Sequence, residues 1–188
     1  MLEGILKFSH HLLESSVCEG ELVIDATCGN GNDTLFLSKL VGKNGHVLAF
    51  DIQEKAIVNT RETLINNGIS NVSLIHDSHA NLKDYLLKEE NQTIGGAIFN
   101  LGYLPRSDKK VITKPESTIT AIDTMINSLK QNGLIVLVVY HGHEGGKEEK
   151  EAILKHAIKL DQKEYNVLQY GFINQKNNPP FIIAIQKK

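Results

Sequence analysis

Apolar and polar positions along the chain alternate between two periods, and the switch from one period to the other recurs throughout. The opening MLEGILKFSHHLLESSV has apolar positions at helical spacing and predicts an N-terminal helix, within residues 1–20, that covers the core. Residues 22–26 read as a short apolar strand, followed by a glycine turn and a helix near 34–41. The pattern then repeats: strand 46–50 with helix 54–67, strand 72–75 with helix 80–88, and strand 94–99 with a long loop and helix 116–130. Strand 134–140 is the most apolar, and a charged helix over 147–160 follows it. The tail breaks this rhythm. Residues 165–173 and 181–186 read as strands joined only by NQKNNPP, too short for a crossover helix, so they form an antiparallel pair. The whole predicts an α/β fold, a mostly parallel sheet with helices on both faces. In such sheets ligands sit beyond the carboxyl ends of the strands, where strand order reverses.

Length and composition narrow the class. The 188 residues suit one domain, 1–188, and 41% hydrophobic with 22% charged residues excludes disordered and collagen-like chains. No apolar run reaches the ~18 residues of a membrane span, and the start lacks a signal peptide's apolar stretch. Cys18 and Cys28 form no CxxC pair and no disulfide framework, which fits a reduced, cytoplasmic protein. A net charge of −2 argues against a generic nucleic-acid binder. Its distribution says more. Residues 1–102 carry seven basic and thirteen acidic side chains, whereas 103–114 carry Arg106, Lys109, Lys110 and Lys114 against Asp108 alone. Residues 163–188 are again basic, by +3. A solvated lysine face explains such clusters as well as a nucleic-acid surface does until the motifs are placed.

The first strand runs into Asp25-Ala26-Thr27-Cys28-Gly29-Asn30-Gly31-Asn32-Asp33-Thr34. Gly29 and Gly31 permit a tight turn with a helix N-terminus behind it. A dinucleotide fold wants a third glycine where this chain has Thr34. An S-adenosyl-L-methionine (SAM) fold wants an acid at the strand end, and Asp25 supplies it, placed to hold the cofactor's amino-acid part directly or through water. Thr27, Asn30 and Asn32 complete the turn as cofactor-binding candidates. Asp51 ends the second strand, 26 residues on, where a carboxylate accepts both ribose hydroxyls; Gln53 can add an amide to ribose or adenine. A helix N-cap is the plain alternative for Asp51. His76-Asp77-Ser78-His79 ends the third strand, where Asp77, Ser78 and His79 are candidates for the adenine amino group and a surface turn is the alternative.

The fourth strand separates methyl donor from nicotinamide. It ends Phe99-Asn100-Leu101-Gly102-Tyr103, an asparagine with an aromatic residue three positions later. That is the spacing of the N-P-P-Y motif of methyltransferases that act on exocyclic amines, with Leu101-Gly102 in place of the prolines. In such a motif the Asn oxygen accepts the amine's hydrogen and aims the nitrogen lone pair at the methyl group, while the ring stacks on the base. A buried Asn capping the strand is the alternative.

Together, DATCGNGNDTLFL, AFDIQ, IHDSH, FNLGYLP, VVYHGHEGGKEE and NQKNNPPF fall in the order and spacing of the YtqB/MnmM family of bacterial methyltransferases, which this chain resembles over essentially its whole length. The resemblance implies a Rossmann-like class I methyltransferase with seven strands in the order 3-2-1-4-5-7-6. It implies SAM as cofactor and, as substrate, the 5-aminomethyl group of 2-thiouridine at the wobble position of tRNA. His143, Gly145 and Gly146 match family positions, whereas His141 stands where the family pattern has proline. His141 and His143 lack an acidic or cysteine partner at ligand spacing, so no metal is expected.

In the implied reaction Asn100 and Tyr103 orient the acceptor, and Asp33, Tyr103, Tyr140 and His143 are candidates to assist proton loss, His143 being placed with the catalytic residues. Arg106, Lys109, Lys110 and Tyr140 are expected to bind RNA at the anticodon stem-loop, with Tyr103 or Phe181 available for stacking. Three rivals keep part of this pattern: a methyltransferase of rRNA or of a small amine, a nicotinamide oxidoreductase, and a non-catalytic RNA-binding module. Oligomeric state is not legible; a homodimer is the prior expectation.

Overall fold

The computed structural model describes residues 1–87, 93–102 and 113–188. Helix α1 (Ile5–Glu14) precedes β1 (Leu22–Asp25), α2 (Asn32–Val41), β2 (His46–Asp51), α3 (Glu54–Asn66) and β3 (Val72–His76). A 3-10 turn at His79–Asn81 leads into α4 (Leu82–Leu86), followed by β4 (Ile94–Leu101) and α5 (Pro115–Ser128). The chain closes with β5 (Leu129–Val139), α6 (Gly146–Ala157), β6 (Tyr165–Tyr170) and β7 (Phe181–Lys187). The seven strands form one sheet in the order β3-β2-β1-β4-β5-β7-β6, as the motif resemblance implies. The first five are parallel, and β7 runs antiparallel to both β5 and β6. Among the described residues no helix is long and apolar enough to cross a membrane.

Each strand sends alternate side chains to opposite faces, and both faces are covered. Val23, Val47, Ala49, Ile98 and Val136 pack with Leu13, Leu37 and Ile57 of α1, α2 and α3. Ile24, Leu48, Phe50, Ala97 and Phe99 pack with Leu82, Ile122, Met125 and Ile153 of α4, α5 and α6. Burial on two faces is why the strands read as nearly unbroken apolar runs. β1 has β2 on one side and β4 on the other, so strand order reverses there and the crevice lies at the carboxyl ends of these strands.

Several boundaries differ from the sequence expectation. β5 begins at Leu129, inside the segment expected to be helix; Asn132, at φ 63, absorbs the irregularity. The expected helix 80–88 is a 3-10 turn plus a short helix ending at Leu86, and residue 88 lies outside the described residues. β6 stops at Tyr170, and Gly171 after it packs against Phe181 too closely for a side chain: a Cβ there would lie 2.9 Å from that of Phe181. β4 continues through Leu101, so Asn100 is still in the ladder, opposite Val138 of β5.

Candidate active site

Asp25 closes β1 and is fully buried. Its Oδ1 accepts the Thr27 N–H at 3.1 Å and its Oδ2 the Thr34 hydroxyl at 2.6 Å. The carboxylate thus shapes the turn and the start of α2 and presents no surface to a ligand, which corrects the expected direct hold on a cofactor. Burial, and then the charge of Asp33, push its carboxyl up to about 7. Gly29 and Gly31 adopt φ of 53 and 82, a region that favours glycine. A Cβ on Gly31 would lie 3.0 Å from Thr60 Cα, so this glycine serves packing against α3. Asn30 straps the turn to α3 as well, its Oδ1 accepting from Asn59 Nδ2 and its carbonyl from the Thr63 hydroxyl. Asn32 stands exposed as the first residue of α2. Cys28 is buried, and burial pushes its thiol up, so it is no nucleophile.

Asp51, at the end of β2, accepts the Gly29 N–H on Oδ2 at 3.1 Å and the Gln53 N–H on Oδ1 at 2.9 Å. Burial raises its carboxyl while these two N–H bonds oppose the rise. An ionised carboxylate offers about four lone-pair sites, so each oxygen keeps capacity for one ribose hydroxyl. This acceptor pair, fixed beside the glycine turn, fits SAM. Beyond β3, Asp77 accepts from the Ser78 N–H, Asn81 Nδ2 and the Tyr85 hydroxyl. Burial acts to raise its carboxyl, but those bonds outweigh it and hold the group below the usual range. Ser78 caps the 3-10 turn through the Ala80 N–H. His79 faces inward: Nδ1 donates to the Ala26 carbonyl at 2.9 Å and the ring meets Phe99 edge-on. Burial lowers its pKa, keeping the ring neutral as a brace for the end of β1.

Asn100 sits at the centre of the crevice. Its backbone N–H donates to Thr27 Oγ1 at 2.7 Å, tying β4 to the turn after β1. Its Nδ2 lies 2.5 Å from Asp33 Oδ2, and Asp33 Oδ1 lies 2.6 Å from His10 Nε2 on α1. The His10 ring stacks on Phe36 at 3.9 Å, which fixes it in place. A carboxylate only accepts, so it must face the Asn100 NH₂ group, and Oδ1 is thereby the atom left for an acceptor's N–H. Tyr140 follows β5, with its N–H on the Leu101 carbonyl; burial and then the Asp33 charge raise its phenol. His143 packs against Gly102 and Gly146, with Nε2 facing the Tyr140 carbonyl at 2.8 Å and Nδ1 the Glu144 carbonyl at 2.9 Å. That engagement makes it a fastener of the 140–146 turn, and among the described candidates Asp33 is the one bonded to Asn100.

Tyr103, Arg106, Lys109 and Lys110 lie outside the described residues, but the base of their loop is defined. Gly102 and Thr113 are bonded reciprocally, Gly102 N–H to Thr113 Oγ1 and Thr113 N–H to the Gly102 carbonyl, both at 3.0 Å. Thr113 Oγ1 donates to Glu149 of α6 at 2.6 Å, and Thr118 of α5 donates to the other Glu149 oxygen at 3.0 Å. Glu149 is 1% exposed, and burial raises its carboxyl against these two bonds. His10 and Glu149 escaped the sequence reading. Phe181, the alternative to Tyr103 for stacking, is a core residue at 6% exposure.

Residues 47–186 match the family model described as "Putative rRNA methylase". A crystal structure from Clostridium thermocellum bearing the same description is 43% identical, covers all of both chains and superposes at a TM-score of 0.95. A Streptococcus mutans protein in complex with SAH is 42% identical over the full length of both chains, with a TM-score of 0.90. Among curated proteins, the chloroplastic tRNA (mnm(5)s(2)U34)-methyltransferase of Arabidopsis thaliana is 34% identical over 96% of this chain and 68% of its own length. Domain-wide similarity and strand order converge: the chain belongs to the rRNA methylase family of class I, SAM-dependent methyltransferases.

Proposed function

We propose that this protein methylates the primary amine of 5-aminomethyl-2-thiouridine at the wobble position of tRNA, in the cytoplasm, giving 5-methylaminomethyl-2-thiouridine. The observation that carries the reading is the Asn100 amide, fixed by Asp33 with its oxygen left for an N–H donor at the strand beside the glycine turn. The name of the Arabidopsis relative supports the same base and position. When bound, SAM supplies an electrophilic methyl group on a sulfonium. Asp51 holds the ribose, and the turn 27–32 shapes the wall beside it. Asn100 Oδ1 accepts one N–H of the acceptor and directs the nitrogen lone pair. Asp33 attracts the acceptor in its ammonium form and balances the positive charge that the nitrogen carries after transfer. An ammonium has no lone pair, so a proton leaves to water first; Asn100 is no base and only orients. Alignment and exclusion of water are the main work in such a displacement. Tyr103 stacks on the target base, and Arg106, Lys109 and Lys110 hold phosphates of the anticodon stem-loop.

The family description favours rRNA as a second reading. Mass spectrometry of nucleosides from a strain lacking the protein separates the two. The tRNA reading expects the aminomethyl nucleoside to accumulate and its methylated product to vanish from tRNA. An unchanged tRNA profile with a methyl group missing from rRNA would replace it.

A further inference from the structure

A second cavity opens on the same rim of the sheet, on the side of Asn100 away from the glycine turn. It measures about 430 Å³, within the ~300–1,000 Å³ of ordinary ligand pockets, and His141, Lys150, Gln169, Phe172, Pro180 and Phe181 line it. The pairing register connects it to the catalytic strand. Asn100 of β4 is opposite Val138 of β5, Val138 opposite Ile182 of β7, and Ile182 opposite Tyr170 of β6. At ~4.8 Å per strand this row spans about 14 Å. The cavity lies at its outer half, between the chain leaving β6 and the chain entering β7.

Its walls combine ring faces with one cation. Phe172 is half-buried just after β6, leaning on Tyr170 with ring centroids 6.0 Å apart. His141 meets the Phe181 ring edge-on, and its Nε2 lies 3.2 Å from the Pro179 carbonyl, which pins the Asn-Pro-Pro turn as a wall. Burial, and then the Lys150 charge, lower the His141 pKa and keep the imidazole neutral. Lys150 Nζ sits 5.7 Å from the centre of the Phe181 ring. Exposed Gln169 offers both an amide donor and an acceptor. Ring faces for stacking, an amide for a base edge and an ammonium for a phosphate are the features that hold splayed single-stranded RNA.

We propose that this cavity receives the base of a nucleotide neighbouring the target uridine, stacked on Phe172 and His141, with Lys150 on its phosphate. The site rests on the RNA-substrate reading and deepens it. It gives a role to His141 and to the Pro179-Pro180 turn, which the methyl-transfer site leaves unused. Holding a neighbour here splays the strand and leaves the target base free to turn toward Asn100.

The test uses anticodon stem-loop RNAs that carry the aminomethyl base, either intact or lacking the base of the 5′ or the 3′ neighbour. For wild type, Phe172→Ala and Lys150→Gln, methyl transfer gives kcat and KM, and fluorescence anisotropy with SAH present gives RNA affinity. On intact RNA, Phe172→Ala should raise KM and weaken binding about tenfold at unchanged kcat. One of the two abasic RNAs should weaken wild type equally, and Phe172→Ala should cost nothing further on it. Lys150→Gln should flatten the salt dependence of binding by about one phosphate contact. Unchanged affinity for intact RNA, or equal losses on intact and both abasic RNAs, would overturn the cavity's role. Failure of wild type to methylate any of these RNAs would remove the proposed function instead, and the anisotropy arms would still decide the cavity.

Discussion

Asn100 depends on a carboxylate 67 residues earlier in the chain. Without Asp33, its amide could rotate by half a turn and present NH₂ to an amine that needs an acceptor. Asn100→Ala should therefore lower kcat about 100-fold or more while leaving SAM affinity within about twofold, because it orients the acceptor and not the donor. His10→Ala removes the other support of Asp33 and should lower kcat about tenfold, again at constant SAM affinity by calorimetry. Normal turnover with weakened SAM binding would move Asn100 into the cofactor pocket. Asp51→Ala should do the reverse and cost SAM binding ~1.5–3 kcal/mol, the worth of hydrogen bonds to a charged group; undiminished affinity would remove Asp51 from the ribose site. Both Asp51 and Asn100 were legible because they stand at or next to the carboxyl ends of apolar strands, where α/β sheets place ligands. His10 was not, since only the packing of α1 beside α2 brings it to Asp33. Glu149 was not either: in GGKEEKEAIL nothing separates it from Glu148 or Glu151, and only the orientation of α6 buries it.

The turn after β1 shows how one element sets several positions together. Asp25 fixes Thr27 and Thr34, Thr27 fixes the Asn100 backbone, and the turn carries the Gly29 N–H to Asp51. This arrangement places a titration inside the fold. The folded protein holds the Asp25 proton up to about pH 7, whereas the unfolded chain releases it near 3.8. The folded state binds more protons between those values, so this contribution to stability is complete below pH 3.8 and is lost as pH rises to about 7. Asp25→Asn should remove that slope. Urea unfolding at pH 5 and pH 8 should show the variant gaining about 1 kcal/mol or more relative to wild type at the higher pH; parallel pH profiles would contradict it. The elements themselves were legible where periodicity was clean, as for β1, β2, α3 and β7. They were misread where a local signal competed. Leu129 and Lys130 continue a helical pattern yet open β5, since the left-handed Asn132 lets the strand start early. Phe172 and Ile173 look like strand but follow Gly171, a glycine that the Phe181 side chain leaves no room to replace.

Across the whole molecule, charge and topology divide the labour. The acidic first half carries β1, β2, the glycine turn and Asp51, where the proposed donor site lies. The proposed acceptor side runs outward from Asn100 along β5, β7 and β6, and the sequence turns basic after β4, in residues 103–114, and again in 163–188, which hold β6 at the edge of the sheet and its neighbour β7. A negative total of −2 is therefore compatible with an RNA substrate, because net positive charge is concentrated in two segments of the sequence. Composition alone concealed this; the division appears only once the strand order puts the end of β4, where the first basic segment begins, and strands β7 and β6 on the same side of β1. The base of the first segment is locked, Gly102 to Thr113 and Thr113 to Glu149, so the loop that bears Arg106, Lys109 and Lys110 starts and ends at fixed points beside Asn100.

The proposed acceptor is an amine already installed on the wobble uridine. That identity is tested most directly with purified protein, SAM labelled in its methyl group, and two tRNA pools, from cells that make the aminomethyl precursor and from cells that do not, with rRNA alongside. The account predicts label in the first pool alone, recovered as the methylaminomethyl nucleoside. Equal labelling of both pools, or labelling of rRNA alone, would contradict it.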